Sequence, residues 1–254
     1  MSTYLFLLSH PAHFHMFRNV IDSLQEKGHK AVIVVRPKDV LEQLCNNYGI
    51  KYYKVGTRPT TGGKISLASS LIKRVNAIKK IVDIEKPDML LGSDGVLAYV
   101  GTLCRIPSFE FFDDDYSVIK LYANIYFPFY SGLICPIVTN AGRWSNIKIG
   151  YEGYQKLAYL HPRFFVPDKE IVRKYLDPDK PYFLLRFANL SAHHDGGIRG
   201  LTTEVANKVV EMLKPFGRVL ISSERPLEPE FEQYRLCIDP LDIHHIMYHS
   251  FLLW

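Results

Sequence analysis

A chain of 254 residues with 47% hydrophobic and 22% charged residues has the size and composition of one large globular domain or two small ones. Its 31 Lys+Arg against 26 Asp+Glu leave a net charge of +5, which suits a phosphate-bearing ligand or an anionic membrane surface and is too weak to argue for nucleic acid. The four cysteines, at 45, 104, 135 and 237, form no CxxC pair and no zinc spacing, and read as reduced thiols of a cytoplasmic protein.

The N-terminus lacks a basic region and a cleavage signal, and its apolar run is too short for a signal peptide. That run, Tyr4 to Leu8, reads as a buried parallel strand. A helix follows from Met16 to Lys27, with Gly28 as its stop. Between them lies Ser9-His10-Pro11-Ala12-His13-Phe14-His15, a loop with three histidines beside a helix N-terminus. In open α/β sheets ligands bind outside the carboxyl ends of the strands, so His10 and His13 are candidates to donate to phosphate or to accept a proton. The alternative is that individual histidines here only satisfy loop backbone.

A second strand, Ala31–Val35, a helix from Asp39 to Tyr48 and a short strand, Lys51–Val55, come next. A long helix from about Ile65 to Ile84 carries an apolar stripe from Leu67 to Val82, with its basic residues 73, 74, 79 and 80 mostly on a solvated face. Met89–Leu91 is a buried strand, followed by the turn Gly92-Ser93-Asp94-Gly95 and a helix from Val96 to Cys104. Asp94, between glycines, either approaches a ligand or caps the helix. Pro107–Phe112 is a strand whose Glu110 is flanked by Phe109 and Phe111. Buried, that carboxyl would have a raised pKa and serve as acid or base; pointing outward on the polar face of the strand is the expected orientation. Asp113 to Asp115 read as solvated or capping acids, and no metal or other cofactor is expected.

Tyr116–Tyr130 reads as one aromatic helix, either buried or facing a lipid-linked acceptor or a membrane surface. The apolar stretch Val118–Val138 is broken by Pro128, Gly132 and Pro136 and does not read as a membrane span. Gly132–Pro136 brings the count to about six strands, and Thr139–Pro181 reads as an irregular tail and linker. The α/β pattern then restarts with a strand at Tyr182–Phe187, a polar loop from Asn189 to Arg199, a helix at Leu201–Leu213, a strand at Arg218–Ser222, a helix start at Asp239-Pro240 and a strand at Phe251–Trp254. Arg186, His193, His194, Asp195, Gly196 and Gly197 concentrate charge and glycine at one strand end, a pattern that can hold a diphosphate. Two α/β halves with polar loops at facing strand ends imply a small-molecule cleft. No GxGxxG, Walker loop or nucleophile elbow is present.

These residues carry a resemblance. Ser9 to His15, Gly28-His29, Gly92 to Gly95, Tyr154 to Pro162, Leu185-Arg186 with Ala192 to Asp195, and Ile243 to Tyr248 resemble the DUF354 proteins, related to MurG-type transferases and to UDP-N-acetylglucosamine 2-epimerases. The resemblance implies a GT-B-like fold of two Rossmann-like doubly wound domains: residues 1–165 on the acceptor side and 166–254 as an incomplete nucleotide-sugar domain. The family continues past Leu252 into a glycine-containing turn and a Glu-bearing helix, so a C-terminally truncated chain is expected, and the half-built second domain leaves open a non-catalytic binding chain. The resemblance further implies a glycosyltransferase using a UDP-sugar and a glycan or lipid-linked acceptor in cell-surface polysaccharide synthesis, cytoplasmic or peripheral at the inner membrane face. An epimerase is the alternative. By the epimerase resemblance, Asp94, Glu110 and His193 fall at acid/base and diphosphate-contacting positions. On the transferase reading, one of His10, His13 and Asp94 is the general base.

Overall fold

A computed structural model of the chain describes residues 1–56, 64–187, 202–223 and 225–253. They form two compact units, Met1–Phe165 and Val166–Trp254.

In the first unit β1 (Thr3–Leu8), α1 (Pro11–Glu26), β2 (Lys30–Val35), α2 (Leu41–Asn47) and β3 (Tyr53–Lys54) build one side of a sheet. The helix α3 (Lys64–Glu85) then crosses to β4 (Met89–Gly92), α4 (Val96–Cys104), β5 (Ser108–Phe111), α5 (Lys120–Tyr126), β6 (Gly132–Pro136) and β7 (Lys148–Tyr151), and the short α6 (Leu157–Leu160) ends the unit. The seven strands are ordered β3-β2-β1-β4-β5-β6-β7, and each pair is parallel. The order reverses between β1 and β4, so the loops after these two strands open onto the switch point. Continuous Leu/Val/Ile/Phe runs form the central strands because both faces are covered. Leu5, Leu7, Val32, Val34 and Leu90 pack under α3 and α4, and Phe6, Phe14 and Phe17 are buried as well.

The second unit starts with α7 (Lys169–Arg173) and continues through β8 (Tyr182–Phe187), α8 (Thr203–Leu213), β9 (Arg218–Ser223), α9 (Ile243–His249) and β10 (Leu252–Leu253). Its three parallel strands are ordered β10-β8-β9. Asp239 caps a 3-10 turn at Pro240–Asp242, accepting from Leu241 N–H at 2.9 Å, before α9 begins. Thr202 caps α8 through Val205 N–H at 3.3 Å. Among the described residues no helix is long and apolar enough to cross a membrane.

Five expectations are corrected. The helix expected from Met16 begins at Pro11, so His13 and His15 lie on α1 and only His10 stays outside it, as the cap. The first sheet has seven strands, not about six: Lys148-Ile149-Gly150-Tyr151, inside the stretch read as irregular, pairs with β6. Strand formation there comes from the partner, since Lys and Gly carry little strand preference. The aromatic segment is not one helix. It turns from Asp115 to Ile119, is helical over Lys120–Tyr126, and closes in a 3-10 turn at Phe127–Phe129 around Pro128. The helix expected from Asp39 begins at Leu41, because Asp39 takes a left-handed φ of +48°. Glu110 points into the protein, 1% exposed, not outward.

Gly101 of α4 lies where a Cβ would stand 2.5 Å from Ser108 Oγ and 2.9 Å from the carbonyl oxygen of Ile106. Gly101→Ala should therefore cost about 1–3 kcal/mol by overpacking the contact of α4 with β5. A urea midpoint unchanged from the parent would refute that contact.

Candidate active site at the sheet switch point

The loop after β1 starts α1 with His10 as its cap: His10 Nδ1 accepts from Ala12 N–H at 3.1 Å, and Pro11 occupies the first turn. One turn on, His13 folds back over the strand end. Its Nδ1 accepts from Ser9 N–H at 3.3 Å, with Ser9 Oγ at 3.4 Å, and its ring lies 6.0 Å from that of His10. Burial, then the His10 charge, hold the His13 pKa down at about 4. At neutral pH the ring is uncharged, and with Nδ1 accepting, its proton is on Nε2. His13 therefore presents a donor. His15 turns the other way, into a ring contact with Tyr159 at 5.4 Å.

Asp94 lies at the end of β4, 10% exposed at its side chain. Oδ1 accepts from Val96 N–H at 3.2 Å, so the carboxylate serves the first amide of α4 from one residue outside the cap position, which Gly95 fills. The same carboxylate takes Arg74 Nη1 at 3.0 Å on both oxygens and Arg36 Nη1 at 3.2 Å on Oδ2. Arg36 stands one residue past β2 and its backbone N–H still bonds Leu8 at 2.8 Å, which fixes it beside the end of β1. The Tyr130 hydroxyl donates to the Asp94 carbonyl at 3.0 Å. The two flanking glycines answer to packing: a Cβ on Gly95 would be 2.4 Å from the Tyr126 ring, and one on Gly92 would be 2.8 Å from Leu97.

Glu110 of β5 lies on the same sheet face, in register with Gly92 and Leu7. Tyr122 of α5 donates to its Oε1 at 2.6 Å, and the Tyr130 hydroxyl also faces it. Burial, only partly offset by these tyrosines, pushes its pKa up to about 8, and the Asp94 charge adds to the rise. Glu110 is therefore mainly a neutral acid at neutral pH. Burial likewise drives the Tyr122 and Tyr130 hydroxyls well above their ordinary range.

The fold thus brings His10, His13, Asp94 and Glu110 into one electrostatic group. Of the triple acid, Asp113 pairs with Lys156 at 2.6 Å while its charge also reaches His13, and Asp115 takes Asn140 N–H at 2.7 Å. Among the described residues no three His, Cys, Asp or Glu are placed to hold a metal. Arg186 lies on β8 with an exposed side chain, in the second unit. His193, His194, Asp195, Gly196 and Gly197 lie outside the described residues. A cavity of about 300 Å³, lined by Phe6, Phe17, Leu91, Phe111 and Ile134, occupies the opposite sheet face and holds none of the predicted groups.

The sequence reading missed Arg36, Arg74 and the two tyrosines. Arg74, assigned to a solvated face, has a side chain only 18% exposed. Its signal was its place three residues after Leu71 and four before Ile78, on the edge of the apolar stripe.

Seven parallel strands with polar groups gathered at a switch point, and a second parallel α/β unit, define a Rossmann-like protein of GT-B type. The chain belongs to the family described as "Protein of unknown function (DUF354)", whose model matches residues 5–253. Solved structures of the same fold include the UDP-GlcNAc 2-epimerase from Neisseria meningitidis bound to UDP-GlcNAc, with TM-score 0.62 and 14% identity over 99% of this chain and 76% of that one. The UDP-N-acetylglucosamine 2-epimerase from Rickettsia bellii has TM-score 0.67 and 16% identity, over 100% and 73%. A spinosyn rhamnosyltransferase complexed with thymidine diphosphate has TM-score 0.55 and 12% identity, over 100% and 74%. No curated protein matches the chain in sequence.

Two buried groups with displaced pKa values give stability a defined pH dependence. The folded chain holds the Glu110 proton to about 8, whereas the ordinary carboxyl value is 4.5, so stability falls as pH rises between these values. The folded His13 releases its proton down to about 4 against an ordinary 6.5, so stability is lost as pH falls through that window. Between 6.5 and 8 only the Glu110 slope remains of the two. Urea unfolding across this interval should show falling stability in the parent and a flatter profile in Glu110→Gln.

Proposed function

We propose that the protein is a glycosyltransferase that takes a nucleotide sugar, of the UDP type, in the assembly of cell-surface polysaccharide on the cytoplasmic side of the membrane. The observation that carries this reading is the convergence of His13, Asp94, Arg36 and Arg74 at the switch point of a nucleotide-sugar-enzyme fold. In this reading residues 1–165 take the acceptor and residues 166–254 take the donor. His13 offers its Nε2–H to an acceptor oxygen, and the Asp94 carboxylate sets the charge around it. His10 lies beside His13 as the third acceptor-side group. Arg186, His193, His194, Asp195 and the glycines 196 and 197 hold the departing diphosphate and stabilise its charge.

Glu110 favours a second reading, an epimerase acting on C2 of the sugar. Inversion there needs a C–H proton removed from one face and a proton returned to the other. A neutral acid electrostatically coupled to a carboxylate, as Glu110 is to Asp94, has the two protonation states this requires.

Product analysis on the full-length protein separates the two. Transfer consumes nucleotide sugar only with an acceptor present, whereas epimerisation proceeds on the nucleotide sugar alone. Under the transferase reading His13→Ala and His193→Ala each abolish transfer, and transfer retained in both would overturn the assignment. Conversion without acceptor that is lost in Glu110→Gln would establish the epimerase instead.

A further inference from the structure

The ion cluster at the switch point is unbalanced. Among the described residues Asp94 is the one carboxylate that pairs with Arg36 and Arg74, and their side chains are only 31% and 18% exposed. Its oxygens are already committed, Oδ1 to Val96 N–H and Arg74, and Oδ2 to Arg36 and Arg74. Both guanidinium contacts run through Nη1, and each fork has five N–H donors. The neighbouring groups do not supply the missing charge. Glu110 is held in its neutral form and His13 is uncharged, and Asp113, whose negative charge reaches His13, is matched by Lys156 at 2.6 Å. Lys38, whose positive charge reaches His13, adds to the surplus. The amides at the start of α1 are not the site, since His10 already caps them. A half-buried excess of guanidinium charge is costly without an anion beside it.

We infer that Arg36 and Arg74, anchored by Asp94, seat an oxyanion of the ligand bound to the first unit, a phosphate or a carboxylate that both forks can engage. Asp94 then acts as the positioning residue that holds both guanidiniums by their Nη1 atoms, and His13 Nε2–H stands as a further donor near it. The assignment rests on the proposed function only for the identity of the ligand, which would be an acidic or phosphorylated acceptor. The charge balance itself does not depend on the reaction.

Inorganic phosphate and glucuronate, titrated separately into the full chain at constant ionic strength set with chloride, test the inference by thermal midpoint. The expected result is a saturable rise with at least one of the two. Whichever binds tighter identifies the source of the oxyanion. Arg36→Gln should weaken that binding about tenfold, the size of one charge-assisted contact, while Lys208→Gln, on α8 of the second unit, leaves it unchanged. A rise no greater than chloride produces, or equal affinity in Arg36→Gln, would overturn the site. Should Arg36→Gln fail to fold, the Nε–H resonances of Arg36 and Arg74 in the parent decide: phosphate or glucuronate must move them, and unmoved signals would count against the site. Nucleotide-sugar turnover is measured alongside. Anion binding without turnover removes the proposed function and keeps the site, whereas turnover without anion binding removes the site alone.

Discussion

The carboxylate of Asp94 ties its own turn and the start of α4 to two segments distant in the chain. Arg36 comes from the end of β2, Arg74 from the crossover helix α3, and Val96 N–H from the start of α4. The Asp94 carbonyl holds the Tyr130 hydroxyl from the segment ahead of β6. Together these contacts place the four chain segments that surround the switch point. A partly buried ion pair adds little net stability, but removing one partner leaves a charge that water no longer solvates, at a cost of about 3–5 kcal/mol.

Burial acts oppositely on the two titratable groups nearest this carboxylate, and in both cases it removes charge. Glu110 keeps its proton and His13 loses one. Beside them stand two guanidiniums and the carboxylate they share. Polar chemistry at this end of the sheet is thus divided between fixed charges, which set the field, and neutral donors and acids, which can exchange protons with a ligand. The cavity on the other face is walled mainly by apolar side chains such as Phe6, Phe17, Leu91, Phe111 and Ile134, with Glu152 and Gln155 also in its lining.

The fold itself decides little about chemistry. Epimerases and a rhamnosyltransferase share it with this chain at 12–16% identity, and one architecture supports both reactions. The distinction lies in which groups can donate and accept protons at the ligand, and this is why the protonation states of Glu110 and His13 matter more to the reading than the strand order does.

Much of the architecture follows from the sequence without further help. Tyr4–Leu8, Ala31–Val35, Met89–Leu91 and Tyr182–Phe187 are apolar runs that have no stable place except in a parallel sheet covered on both faces, and the periodicity of α3 is its own evidence. The positions of His10, His13 and Asp94 after strand ends were equally legible, because a strand end is a local feature. Tertiary structure alone decided the rest. The strand at Lys148–Tyr151 exists because β6 offers it a ladder. Glu110 turns inward because Tyr122 and Tyr130 close over it from segments 12 and 20 residues away. Arg74 leaves the solvated face because a carboxylate 20 residues further on needs a partner. Local pattern specifies which residues are buried or turned; which charges meet is set by chain segments that only the closed sheet brings together.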